Sequence, residues 1–227
     1  MIGLITYDCP HLKTQEIVER CKSRIDAILL IPFKSRPTRE VLFNHRPFQF
    51  EGPSPQDLAK SIGAEILNLS EFKETFKSEE DFLVVGGAGI LGPQYTSKYK
   101  IINTHPGLIP SSRGLDAFKW AIYNRISPGI TIHQIDEDVD MGKVIHHEPT
   151  QVFESDDIQV LANRHYRNEI NTLSSFICGS LEIRLYNNLP VLESKMRMSA
   201  EKEAEMVRRF DDFKSYFSGI DNSPDKS

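Results

Sequence analysis

Short apolar runs alternate with amphipathic stretches through the first half of the chain. IGLIT (2–6) is followed by LKTQEIVERC (12–21) and then by IDAILLIPF (25–33). Alternation of this kind predicts β-α-β units around a parallel sheet. The stretch SPQDLAKSIGAEILNL (54–69) repeats the pattern with clear punctuation. Ser54 is placed as an N-cap, Pro55 as the first helical residue, Asp57 near the positive helix end and Gly63 after the last turn, with a strand through 65–68. DFLVVGG (81–87) is a continuous apolar run ending in glycines, which predicts a central parallel strand covered on both faces.

KYKIINTHP (98–106) reads as another strand, and GLDAFKWAIYN (114–124) as a helix with Leu115, Phe118 and Ile122 on one face. GITIHQI (129–135) and KVIHHEPT (143–150) are two strands joined by the acidic segment DEDVDMG. So short a connection predicts an antiparallel hairpin. From Asp156 the pattern is helical for about 30 residues, with Ile170, Leu173, Ile177, Leu181 and Leu185 at packing intervals and Asn187, Asn188 and Pro190 as terminators. A charged stretch, 199–217, predicts a terminal helix whose Met206, Phe210, Phe213 and Phe217 form a docking stripe, and 218–227 reads as a frayed tail.

The expected fold class is therefore α/β: an open, mostly parallel, Rossmann-like sheet with flanking helices, plus C-terminal helices. Residues 1–192 are expected to form the catalytic domain, 193–217 a helical appendage and 218–227 a disordered tail. The 227 residues, 39% hydrophobic and 26% charged, suit one well-formed core. A net charge of -5 argues against a nucleic-acid partner, which requires a local excess of Lys and Arg. Three widely spaced cysteines, Cys9, Cys21 and Cys178, suggest neither a disulfide framework nor a thiolate zinc site. With no signal-like or membrane-length apolar run, the expectation is a soluble, cytoplasmic protein without a membrane partner.

Asn103 and His105 leave the same face of their strand, at its C-terminal end, where open α/β sheets place ligand crevices. The acidic segment carries Asp136, Glu137, Asp138 and Asp140, more charge than a tight hairpin needs. Each feature alone is compatible with backbone hydrogen bonding or solvated turn formation. His133, His146 and His147 with Asp136 and Asp140 do not make a recognised metal-ligand pattern, and no metal is expected.

Taken together, N-T-H-P-G-L-I-P-S-S-R-G and G-I-T-I-H-Q-I-D-E-D-V-D-M-G resemble the paired signature of the folate-dependent formyltransferases. That family includes glycinamide ribonucleotide, methionyl-tRNA and sugar N-formyltransferases. The resemblance covers roughly residues 80–150. It implies N10-formyltetrahydrofolate as formyl donor and a catalytic trio of Asn103, His105 and Asp140. A primary amine would attack the formyl carbon, so donors must meet the developing oxyanion and a carboxylate beside His105 must handle the proton. The resemblance also implies that Gly89, Ile90 and Leu91 on one side, and Asp136 and Val139 with the rest of the acidic segment on the other, hold the folate.

Three branches of that family differ in their acceptor. The acidic chain, helical after Thr150, is unlike the tRNA branch with its extra barrel. T-Y-D-C-P-H after the first strand lacks the glycine-rich phosphate loop of the glycinamide ribonucleotide branch. PSSRG matches the form of the tRNA and sugar branches. The expected acceptor is a small-molecule amine, an amino sugar carried on a nucleotide, with Tyr7, Asp8, His11 and Arg113 as candidate contacts. The amphipathic C-terminal stretch is compatible with a homodimer. The alternatives are glycinamide ribonucleotide formylation, formyltetrahydrofolate hydrolysis and a noncatalytic Rossmann-like binding module.

Overall fold

A computed structural model describes residues 1–34, 40–74, 78–136, 140 and 142–218. The expected tail beyond 218, and Val139 with Glu137 and Asp138, lie outside the described residues. The elements run β1 (Ile2–Tyr7), α1 (Leu12–Cys21), β2 (Ala27–Ile31), α2 (Pro55–Ile62), β3 (Glu65–Asn68), β4 (Phe82–Val85), α3 (Pro93–Thr96) and β5 (Ile101–His105). They continue α4 (Ala117–Asn124), β6 (Gly129–Gln134), β7 (Val144–Pro149), α5 (Ile158–Ile177), α6 (Ala200–Arg208) and α7 (Phe210–Phe217).

The seven strands form one sheet in the order β3-β2-β1-β4-β5-β6-β7. The first five are parallel, and β6 and β7 are antiparallel to their neighbours. The apolar run in 81–87 is thus the central strand of the sheet, and the acidic segment does join a hairpin. Strand order reverses at β1 and β4, which opens a crevice at their C-terminal ends.

Side-chain alternation divides the core. Leu4, Ile28, Val84, Ile102 and Ile132 face α1, α2 and α5, where Ile17, Val18, Leu58 and Leu173 cover them. Ile5, Leu29, Leu83, Val85 and Ile101 face the other way, against Leu69, Phe72 and Tyr99. Because side chains alternate, Asn103 and His105 belong to this second face and Thr104 to the helix face. Ser54 caps α2 by accepting the N–H of Asp57, and Gly63 closes it in the left-handed region, as their sequence positions predict.

Three helices differ from the pattern-based expectation. The long helix ends at Ile177 and not near Asn187, because Gly179 turns left-handed at φ 70°. Leu181 and Leu185 therefore lie beyond it, and residues 184–186 run beside β7, with the N–H of His147 donating to the carbonyl of Arg184. The 199–217 stretch is two helices broken at Arg209. Met206, Phe210, Phe213 and Phe217 nonetheless share one buried cluster with Phe43, Phe118 and Trp120. Helix α4 starts at Ala117, after a left-handed Asp116, so Leu115 precedes it and stays partly exposed.

The C-terminal helices are tied in by a buried ion pair. Lys119 of α4 donates to Glu203 of α6 at 2.6 Å, with both side chains essentially inaccessible. Glu203 also accepts the backbone N–H groups of Leu42 and Phe43. Removing one partner of such a pair strands a buried charge. Glu203→Ala is expected to lower unfolding free energy by about 3–5 kcal/mol, and adding Lys119→Met should restore part of that loss. Urea denaturation of both variants checks this.

Candidate active site

β5 carries Asn103 and His105 to the sheet's C-terminal edge, and Pro106 then ends the strand. The chain folds back, so that the carbonyl of Ser112 meets Nε2 of His105 at 2.9 Å. A carbonyl only accepts, so Nε2 is the protonated nitrogen. The other nitrogen, Nδ1, faces the Asp140 carboxylate at 3.4 Å. Both ring nitrogens thus face acceptors, an arrangement that lets the ring donate on both sides once protonated.

Asp140 lies in the connection between β6 and β7, with φ 54°, a left-handed conformation that Asp tolerates better than most residues. Its other carboxylate oxygen accepts the N–H of Gly114 at 2.9 Å. Burial pushes the Asp140 carboxyl upward, but the hydrogen bond and charge of His105, the Gly114 amide and His133 outweigh it. The group is held below the ordinary carboxylate range.

His133 completes the arrangement, a role that the strand pattern alone did not reveal. The β5–β6 register pairs Asn103 with His133, so both project from the same face. The Asn103 amide nitrogen lies 3.3 Å from Nε2 of His133 and, being a donor, makes that nitrogen the acceptor. Nε2 is also 3.9 Å from Asp140. Burial, reinforced by the nearby His105, drives His133 down to about 4, against the opposing pull of Asp140 and Asp136. A neutral His133 can fix the orientation of the Asn103 amide through one N–H and leave the second N–H available.

The segments expected to hold the folate flank this group by topology. Gly89, Ile90 and Leu91 follow β4 and Asp136 follows β6, the two strands on either side of β5. Ile90 is 84% exposed, whereas Leu91 packs against the second-face core.

Tyr7 ends β1, and its ring lies edge-on to Phe33, with centroids 5.1 Å apart. Asp8 accepts the N–H of Phe33 at 2.7 Å. His11 is buried beside Gln49, whose amide lies 3.0 Å from Nε2, and burial with the charges of Lys13 and Arg46 lowers it to about 3. Arg113 donates to the carbonyl of Leu192, and its own carbonyl accepts the N–H of Lys195, so it ties the 106–114 loop to the C-terminal segment.

Behind β5, on the helix face, Lys13 donates to Thr104 at 2.6 Å and to Glu169 at 2.8 Å. Arg46 reaches the other oxygen of Glu169. Burial alone would raise Glu169, yet Arg46 and Lys13 hold it at about 2. His165 bonds to Thr150, and its Nε2 lies 3.3 Å from the carbonyl of Pro106.

Among the described residues no group of three or more His, Cys, Asp or Glu is arranged to hold a metal ion, and no helix is long and apolar enough to cross a membrane. Nδ1 of His146 and of His147 instead accept the N–H groups of Arg184 and Tyr186.

A family model described as formyl transferase matches residues 33–177. Phosphoribosylglycinamide formyltransferase from Bacillus subtilis is 35% identical over 166 residues, 68% of this chain and 82% of that protein. The Haemophilus influenzae protein of the same name is 31% identical over 121 residues, 51% of this chain and 57% of that one. The matches to that protein and to a Mycobacterium tuberculosis relative span about half the length of those proteins. A solved sugar N-formyltransferase from a Shewanella species shares the fold, with a TM-score of 0.50 and 19% identity over 92% of this chain and 87% of that one.

The depressed histidine has a stability consequence. His133 takes up a proton near its ordinary 6.5 when unfolded but only near 4 when folded. Its contribution is full above about pH 6.5 and is lost as pH falls through 4. Unfolding free energy should decline over that interval, and His133→Asn should make the decline shallower. The remainder is expected from His165, His11, His45 and His147, all of which burial depresses in the same direction. Urea titrations at stepped pH, with ring-proton NMR of His133, measure both effects.

Proposed function

The chain belongs to the formyl transferase family, and from that premise we propose that it moves a formyl group from N10-formyltetrahydrofolate to the primary amine of an amino sugar carried on a nucleotide. The observation that carries the transfer reading is the gathering of Asn103, His105 and Asp140 at the C-terminal edge of the sheet, where Asp140 faces His105 at 3.4 Å and Asn103 stands beside it through His133.

In this reading the second N–H of Asn103 and, with the ring protonated on both nitrogens, the Nδ1–H of His105 donate to the formyl oxygen as it gains charge. At 3.4 Å the contact between Nδ1 and the Asp140 carboxylate is a long one, so it holds that proton only weakly. Each such donor is worth roughly 3 kcal/mol in the transition state. As the amine's lone pair forms the new C–N bond and the bond to N10 breaks, the amine loses one proton and N10 gains one. Asp140, ionised and adjacent to His105, is the group suited to carry that proton between them. No covalent bond to the protein is needed, because alignment of amine and donor supplies the main advantage.

The end of β1 supports the acceptor reading. A ribonucleotide phosphate would be held most simply by amides at the N-terminus of α1. Here the first amide of that helix, Leu12 N–H, donates to the carbonyl of Gln49, and His11 contacts the Gln49 side chain. Aromatic and acidic side chains therefore stand where an anion cradle would be. The identity to phosphoribosylglycinamide formyltransferases favours glycinamide ribonucleotide as the second reading.

Purified protein supplied with N10-formyltetrahydrofolate and either amine separates the readings. Formylation of nucleotide-linked amino sugars and not of glycinamide ribonucleotide is expected. Formyl-folate turnover without any acceptor would indicate a hydrolase, and no turnover or folate binding a noncatalytic module. Asp140→Asn and Asn103→Ala should each lower kcat/KM about a hundredfold or more while the fold is retained. Unchanged activity in both would overturn the assignment.

A further inference from the structure

Strand register places an exposed aromatic surface in line with the catalytic group. β1 and β4 pair Ile5 with Val85, and β4 and β5 pair Val84 with Ile102. Continuing both ladders sets Tyr7, Gly87 and His105 level with one another, on the same face, across three adjacent strands. The contact at Gly87 agrees: a Cβ there would lie 3.0 Å from the Tyr7 ring and 3.2 Å from that of His11. A side chain at this position would crowd both rings, and its absence leaves them room beside β4.

On the far side of Tyr7 the same line reaches β2, whose Ile31 is paired with Tyr7, and then Phe33 two residues on. Phe50 arrives from a separate part of the chain and packs on Phe33, with ring centroids 4.9 Å apart. It also approaches His11 at 5.8 Å and Tyr7 at 6.5 Å. Phe33 and Phe50 remain 41% and 47% exposed. Apolar rings from two chain segments thus gather at one sheet edge and stay open to solvent, the condition that marks a binding surface. The surface is fixed, since Asp8 holds the backbone of Phe33 and Gln49, next to Phe50, is anchored to Leu12 and His11.

We propose that Tyr7, Phe33 and Phe50 form the stacking platform for the nucleobase of the acceptor. Two strand spacings separate His105 from Tyr7 and three from the Phe33 end of the platform, about 10–14 Å. In a nucleotide sugar a hexose, a diphosphate and a ribose separate the reacting amine from the base, so the two ends of one extended ligand match the two ends of this line. Glycinamide ribonucleotide carries no base and has no use for the platform. The inference rests on the nucleotide-linked acceptor reading above and adds the residues that recognise its far end.

The test uses the full chain with Phe33→Leu and Phe50→Leu, which keep apolar bulk and delete the ring. Calorimetric binding of UDP and dTDP should weaken on the order of tenfold in each variant. Ribose 5-phosphate should bind poorly and equally to all forms. KM for a nucleotide-linked amine should rise with kcat retained, and Phe50→Trp should restore it. Unchanged nucleotide affinity in both variants would overturn the platform. So would a raised KM for formyl-folate in place of the acceptor, or a shift only in self-association by sedimentation. Should nucleotides bind in a Phe50-dependent way while no nucleotide-linked amine is formylated, the acceptor reading falls and the platform stands. Should such amines be formylated with wild-type KM by both variants, the reverse holds.

Discussion

The Asp140 carboxylate is the point on which the proposed catalytic edge depends. It touches the amide of Gly114 and approaches the rings of His105 and His133, and so links the β6–β7 connection, the loop after β5 and two strands. A carboxylate this far removed from water is tolerable only while such partners surround it. Any shift of the loop or the hairpin would cost Asp140 its partners, and that cost holds the two segments together. The left-handed backbone at Asp140 is consistent with strain kept by its surroundings.

The opposite face of β5 is held by a second set of buried charges. One carboxylate, Glu169 of α5, lies between Lys13 of α1 and Arg46 of the 40–50 segment, with Thr104 of β5 bonded to the same ammonium. The strand is thus pinned from behind through the one side chain, between Asn103 and His105, that points away from them. The same network draws the 40–50 segment across the start of α1, where Gln49 meets Leu12 and Phe50 meets Phe33. Glu203 holds the other end of that segment through Leu42 and Phe43. The C-terminal helices, remote from β5 in sequence, therefore support the surface proposed to receive the acceptor.

Much of the framework was legible from local chemistry. Ser54, Pro55 and Gly63 bound α2 because capping needs only residues a few positions apart, and the glycine-ended run at 81–87 marked the central strand. The long helix was overextended because Leu181 and Leu185 continue a helical spacing. The stop signal is Gly179, which the apolar periodicity of the surrounding residues masks. The break at Arg209 has no comparable residue signal, and the apolar stripe runs through it unbroken.

For the site, the sequence by itself determined that Asn103 and His105 share a face at a strand end and that an acidic hairpin connection follows, since alternation and turn chemistry are properties of neighbouring residues. Only the tertiary structure decided that His133 stands beside Asn103, that Arg113 bonds to Leu192 and that Phe50 lies on Phe33. These pairings join residues 17 to 79 positions apart. Contacts at such separation are selected by the packing of the whole core and by the need to partner buried charge, and no local pattern encodes that choice.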